Sequence, residues 1–208
     1  MVSNSIFLRD AIRNDVVEIY RLYLEVAKAF PDSITQHISE ITPDFVNEIL
    51  TLSMRYGLAM VAEDQGGNMV GFFKAFTSPY RNLAHVMMNT TLISTPDSIG
   101  RKTFVLLLRG FLDKLKNEYR HIYKLQGRPH ETNRGAINCY LRNGITMEHI
   151  FNDHIFNFNR YVLENEVIVS WLNPNFDIEE LKRYHRYLPK AKDQKDDLYF
   201  RSPMPKKE

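Results

Sequence analysis

Cysteine is almost missing from this 208-residue chain. Cys139 stands alone, which excludes an intrachain disulfide framework and any zinc knuckle built from several thiolates. A surplus of either charge is missing too: 27 Lys and Arg against 25 Asp and Glu leave a formal net charge of +2. A general nucleic-acid scaffold carries a basic excess or stripe, so no nucleic-acid partner is expected. No apolar run approaches the roughly 20 residues of a membrane span; beside a helix the longest is Phe104 to Leu108. Arg9, Asp10 and Arg13 interrupt the opening residues before the apolar core of a leader peptide can form. The expectation is a cytoplasmic chain with no membrane attachment. Walker loops, dinucleotide G-x-G-x-x-G fingerprints and G-x-S-x-G elbows are absent as well. The seven histidines show no ligand spacing. His149 and His154 fall in a strand-like stretch and are expected on opposite faces, so no metal is expected.

What is present suffices for a packed core: 44% of residues are hydrophobic and 12% aromatic. The length fits a single domain, taken as residues 1–189, followed by a charged tail at 190–208. Ser5 to Ala11 reads as a strand, and Asn14 stands where a helix cap belongs, ahead of Val16, Ile19, Tyr23 and Ala27 at helical spacing. Thr42-Pro43 starts a second helix, with Gly57 as its C′ stop. Leu58–Ala62 and Met69–Phe76 form a hairpin across the Asp64–Asn68 turn. His85–Ser94 is a strand, followed by a helix with Phe104, Leu107, Leu108, Phe111 and Leu115 on one stripe. His121–Gly127, Thr146–Phe158 and Val167–Leu172 complete the strands. Asn133 caps a short helix that Gly144 closes, and Ile178–Tyr187 is the last helix. This alternation predicts an α/β (α+β) fold, a central twisted mixed sheet of about seven strands with helices on both faces. The unit from His85 to Gly127 needs a crossover, so its two strands are expected parallel or splayed.

Two local features carry chemistry. Ser98, Ile99, Gly100, Arg101, Lys102 and Thr103 form the junction between a strand and the start of a buried amphipathic helix. Free N–H groups and the positive end of the helix dipole there suit a phosphate, and Arg101 and Lys102 add charge. The second feature runs from Asn133 through Ala136, Ile137 and Tyr140 to Gly144-Ile145. Taken separately, the first is equally an ordinary loop with two solvated cations, and the second a capped helix with a core tyrosine.

In this order the two features resemble the GNAT N-acetyltransferase superfamily. Its coenzyme-A loop, Q/R-x-x-G-x-G/A, lies between the fourth strand and third helix, and its later segment N-x-x-A-x-x-x-Y-x-x-x-G-F matches Asn133 to Ile145. The resemblance implies transfer of an acetyl or other short acyl group from acyl-coenzyme A to a primary amine, with acetyl-CoA as co-substrate and no metal. The alternative it leaves is a weak or silent acyl-CoA-binding sensor. The acceptor is a small molecule or a protein, and the chain a monomer or homodimer.

The resemblance further implies that Leu92, Ile93 and Ser94 give main-chain contacts to the pantetheine arm, that the 98–103 junction and Asn133 hold the rest of the coenzyme, and that Tyr140 is the general acid. The loop departs from the pattern. Arg101 and Thr103, or in the neighbouring register Lys102 and Phe104, fill its small-residue positions, which implies altered coenzyme binding. A left-handed non-glycine residue there costs roughly 1–2 kcal/mol. Where relatives carry a glutamate on the fourth strand stands Met87, so the base is left among His85, Glu131 and a water chain; His85 is equally a strand histidine bonded to a carbonyl.

Overall fold

The computed structural model describes residues 5–78 and 80–187; the side chains at 98–101 and 186–187, and the expected tail at 190–208, lie outside the described set. Its strands are β1 (Phe7–Asp10), β2 (Gly57–Glu63), β3 (Met69–Thr77), β4 (Val86–Ser94), β5 (Lys124–Gly127), β6 (Thr146–Asn157) and β7 (Val162–Leu172). Its helices are α1 (Val16–Ala29), α2 (Pro43–Tyr56), α3 (Ser98–Glu118), α4 (Arg134–Arg142) and α5 (Ile178–Tyr187). The strands form one seven-stranded sheet in the order β1-β2-β3-β4-β5-β7-β6. It is the mixed sheet expected, and β4–β5 is its parallel pair.

Each face carries its own core, because alternate residues of a strand point to opposite sides. Phe73, Ala75 and Met87 pack under Leu107, Leu108, Phe111 and Leu115 of α3. Val61, Phe72 and Ile93 pack on the other face against Ile19 and Tyr23 of α1 and Val46 and Leu50 of α2. The stacked pair Phe73–Phe111, with ring centroids 3.9 Å apart, ties α3 to the centre of the sheet.

Local signals were obeyed where a side chain had one obvious partner. Thr42 Oγ1 accepts the Phe45 N–H at 3.1 Å and starts α2. Asp64 Oδ1 accepts the Gly66 and Asn68 N–H groups in the β2–β3 turn, where Gly67 has φ +77°. Gly144 takes the left-handed conformation after α4, φ +79°.

Three expectations need correction and a fourth holds for another reason. Asn14 does not cap α1: Arg13–Asp15 form a 3-10 turn, and Asp15, clamped by Arg9 and the Ile12 N–H, immediately precedes the helix. Gly57 does end α2, but in extended backbone, and opens β2 directly. A Cβ there would stand 2.0 Å from the Ala75 carbonyl oxygen, so close approach explains that glycine. The strand expected from His121 begins only at Lys124, because the Ile122 N–H closes a turn on the Tyr119 carbonyl at 2.9 Å while its side chain enters the core. Finally, His149 and His154 do not point apart. Both rings touch Phe151, at 4.9 and 5.1 Å, since an irregular register between Phe151 and Ile155, with Asp153 at φ +51°, breaks the alternation.

Candidate active site

The parallel pairing of β4 with β5 covers only Val86–Lys124 and Met87–Leu125. Beyond it the strands part. β4 is bent there by a register shift against β3 between Lys74 and Phe76, and Asn89 within the bend has φ +55°. One hydrogen bond, Thr90 Oγ1 to the Gln126 carbonyl at 3.3 Å, still spans the gap. Past it, the β5-facing edge of β4 has no ladder partner among the described residues. A cavity of about 1670 Å³ opens at this gap. It is reached from both faces of the sheet: Phe104, Val105 and Tyr140 line it from the α3–α4 side, Phe45, Ile49 and Lys74 from the α1–α2 side.

Several residues expected from the sequence meet here. Leu92, Ile93 and Ser94 form the open edge and line the cavity. Tyr140 lines it too, with its ring 5.9 Å from Phe104. Burial, with a smaller contribution from Cys139, holds the Tyr140 phenol above its ordinary pKa, so it keeps its proton through the neutral range. Asn133 lines the cavity while its Oδ1 accepts the Ala136 N–H at 3.2 Å as the cap of α4.

The expected phosphate junction is placed only in part. Ser98, Ile99, Gly100 and Arg101 begin α3, and their side chains are outside the described set. Lys102 is exposed. Thr103 is not available to a ligand through its side chain: it is fully buried, lying over Gly71 of β3. Asp97, immediately before α3, accepts the Thr95 hydroxyl at 2.8 Å.

The two base candidates are not brought to the cavity. Neither His85 nor Glu131 is among the described residues that line it. His85 precedes β4 at the end where β4 and β5 are still paired, its carbonyl accepting the Tyr123 and Lys124 N–H groups. Glu131 is held by Arg134 at 3.1 Å and by Asn165 Nδ2 at 2.7 Å. Met87 points the other way, buried under α3.

Sequence reasoning missed other groups. Arg109 and Arg142 line the cavity beside α4, with Arg109 Nε donating to Asn143 Oδ1 at 2.8 Å; helical spacing from Lys102 was a usable signal for Arg109. His130 is a buried wall residue whose Nδ1 lies 3.4 Å from Glu164 Oε2. Lys74, on β3 between Phe73 and Ala75, gave no signal at all, because a lysine amid apolar strand residues reads as an edge or surface position. Across the cavity's α1–α2 end, Asp32 accepts from Asn157 Nδ2 at 2.9 Å and lies 3.4 Å from Arg160 Nε.

The seven-stranded mixed sheet and its helices have the fold of solved GNAT-family acetyltransferases. Solved structures of that fold superpose over most of the chain. An acetyltransferase of the GNAT family from Streptococcus pneumoniae matches with a TM-score of 0.68 and 13% identity, covering 81% of this chain and 99% of that one. Ribosomal-protein-alanine N-acetyltransferase from Brucella melitensis gives 0.68 and 15% over 80% and 99%. Spermidine N-acetyltransferase from Vibrio cholerae, in complex with CoA and spermine, gives 0.66 and 16% over 82% and 97%. No family model and no curated protein sequence matches the chain.

Proposed function

We propose that the chain transfers an acetyl or other short acyl group from acyl-coenzyme A to a primary amine by direct attack. The observation that carries this reading is the parting of β4 from β5 after Met87, with Tyr140 beside the open edge. An unpaired strand edge offers N–H and C=O groups at regular spacing to an extended amide-bearing arm, and pantetheine is one. Acyl-coenzyme A, when bound, supplies an acyl carbon activated by a thiolate leaving group. A main-chain N–H of the open β4 edge would polarise the acyl carbonyl. On the coenzyme side, the start of α3 with Lys102, and Arg109 and Arg142 farther along, supply positive charge for phosphates.

Tyr140 would hydrogen-bond the departing sulfur. A thiol has a pKa of about 8.5, below that of this phenol, so Tyr140 would act as a hydrogen-bond donor to the thiolate and keep its own proton, the thiolate being protonated from cavity water. Since neither His85 nor Glu131 is among the described residues that line the cavity, the acceptor's proton would leave through cavity water. Thermal denaturation with and without coenzyme A and acetyl-coenzyme A tests binding, since a ligand specific to the folded state raises stability by RT ln(1 + [L]/Kd). Thiol release across a panel of amines tests turnover. Stabilisation with no thiol release from any amine marks a sensor; no stabilisation by either ligand removes the transferase reading.

A further inference from the structure

Lys74 is a buried cation precursor with almost nothing to bind. Its residue is 6% exposed, yet it forms part of the cavity wall. An ammonium carries three donors. Among the described residues Lys74 Nζ has one hydrogen-bond acceptor, the Asn89 carbonyl at 2.6 Å, and it sits 5.0 Å from the centre of the Phe76 ring. Among the described residues no carboxylate comes within ion-pairing distance of it. Two of the acids that line the same cavity are otherwise engaged, Asp32 with Arg160 and Glu166 with Arg128.

Position decides which reactant Lys74 faces. It lies opposite Ala59 and Thr91 in the sheet, on the face that packs against α1 and α2. Tyr140 and α3 belong to the other face. A coenzyme held at the α3 start enters from the α3–α4 side, so the α1–α2 side is left for the acceptor. The other groups near Lys74 do not replace an anion: Tyr23 of α1 is buried and protonated, with its pKa raised by burial, and Glu48 of α2 and Asp97 before α3 line the cavity without pairing to it.

Resting on the acyltransferase reading, we propose that Lys74 is the anion subsite of the acceptor pocket, and that the acceptor is an amine bearing a carboxylate, as an amino acid does, rather than a polyamine. A carboxylate there would give the ammonium its missing acceptors and a counter-charge in a place where an uncompensated charge is costly. Burial alone pulls the Lys74 amine down to about 7, so anion binding above neutrality would draw in a proton.

The test uses matched pairs of L-amino acids and their carboxamides. With acetyl-coenzyme A and the full chain, the acid of at least one pair is expected to exceed its amide in kcat/KM by about ten- to hundredfold, the range of one charge-assisted hydrogen bond. In Lys74→Met the ratio within that pair should fall toward one. A direct readout runs beside it: binding of the corresponding N-acetyl amino acids to coenzyme A-loaded protein, by calorimetry in two buffers of different ionisation heat, should show proton uptake at pH 8 in the wild type and none in Lys74→Met. Equal use of acid and amide by the wild type, a preference that survives Lys74→Met, or an equal loss for both in that variant, as removal of a base would give, each overturns the proposal. Lys74-dependent binding of the N-acetyl amino acids without thiol release from any amine would keep the anion subsite and sink the transferase reading instead.

Discussion

Gly71 on β3 lies directly beneath Thr103 on α3, so close that a Cβ on the glycine would stand 2.6 Å from Thr103 Cγ2 and 2.6 Å from Leu107 Cδ1. The first turns of α3 are seated on the sheet by that contact, and with them the edge of the cavity. Gly71→Ala forces either the helix or the strand to move. Overpacking of this kind costs about 1–3 kcal/mol, which for a chain of this size lowers Tm by roughly 2–12 °C. Gly135→Ala, where an added Cβ meets nothing within 4 Å, is expected to leave Tm unchanged or higher. Thermal denaturation of the two variants side by side checks this; equal melting would show that α3 accommodates the methyl freely.

Tyr140→Phe keeps the ring against Phe104 and removes the hydroxyl. Turnover is expected to fall roughly tenfold to a hundredfold, less than the ~10²–10⁴ of a full general acid, because a thiolate leaves tolerably without help. Coenzyme A affinity should not change. Steady-state kinetics with a calorimetric Kd on the same sample gives both numbers, and unaltered kcat would take the phenol out of the mechanism.

Replacing Arg101 and Lys102 together with alanine should weaken coenzyme A binding by roughly two- to thirtyfold, the sum of two screened charges at about 0.2–1 kcal/mol each. The difference between variant and wild type should shrink as ionic strength rises, because screening shortens the reach of both cations. An identical Kd at low salt would leave the phosphates to Arg109 and Arg142.

Lys74 also makes a prediction about stability without ligand. Its folded-state pKa, lowered by burial to about 7, lies below the unfolded value near 10.4. Between those two values the unfolded chain binds more protons than the folded one, so stability rises with pH at up to about 1.4 kcal/mol per unit from this group. Below pH 7 both states are protonated and the burial cost is present in full; above about 10.4 it is gone. Urea denaturation at pH 7, 8 and 9 should show a steeper rise for the wild type than for Lys74→Met. Parallel lines would mean that the amine is solvated in the folded protein.

Element order and strand direction were legible because they rest on local chemistry: the Thr42 cap, the Asp64–Asn68 turn, the apolar stripe from Phe104 to Leu115. Tyr140 and Leu92–Ser94, which the family resemblance points to, line the same cavity. Long-range pairing was not legible. The last strand is expected from Val167, whereas β7 starts at Val162 and buries Glu164 and Glu166, held by Arg160 and Arg128. The same blindness hid Lys74, whose surroundings come from β4, and gave no sign that the base candidates His85 and Glu131 are not among the described residues lining the cavity. A side chain's alternation predicts its face; it does not tell which end of the strand the cavity occupies.

The contact of Asp32 with Asn157 and Arg160 joins the loop after α1 to the turn between β6 and β7 over the α1–α2 mouth of the cavity. An arch of that kind sets a width limit on what passes under it. For the acyl transfer proposed above, a free metabolite or the end of a peptide would thread through, whereas an amine in the middle of a folded surface would meet the arch before the acyl carbon.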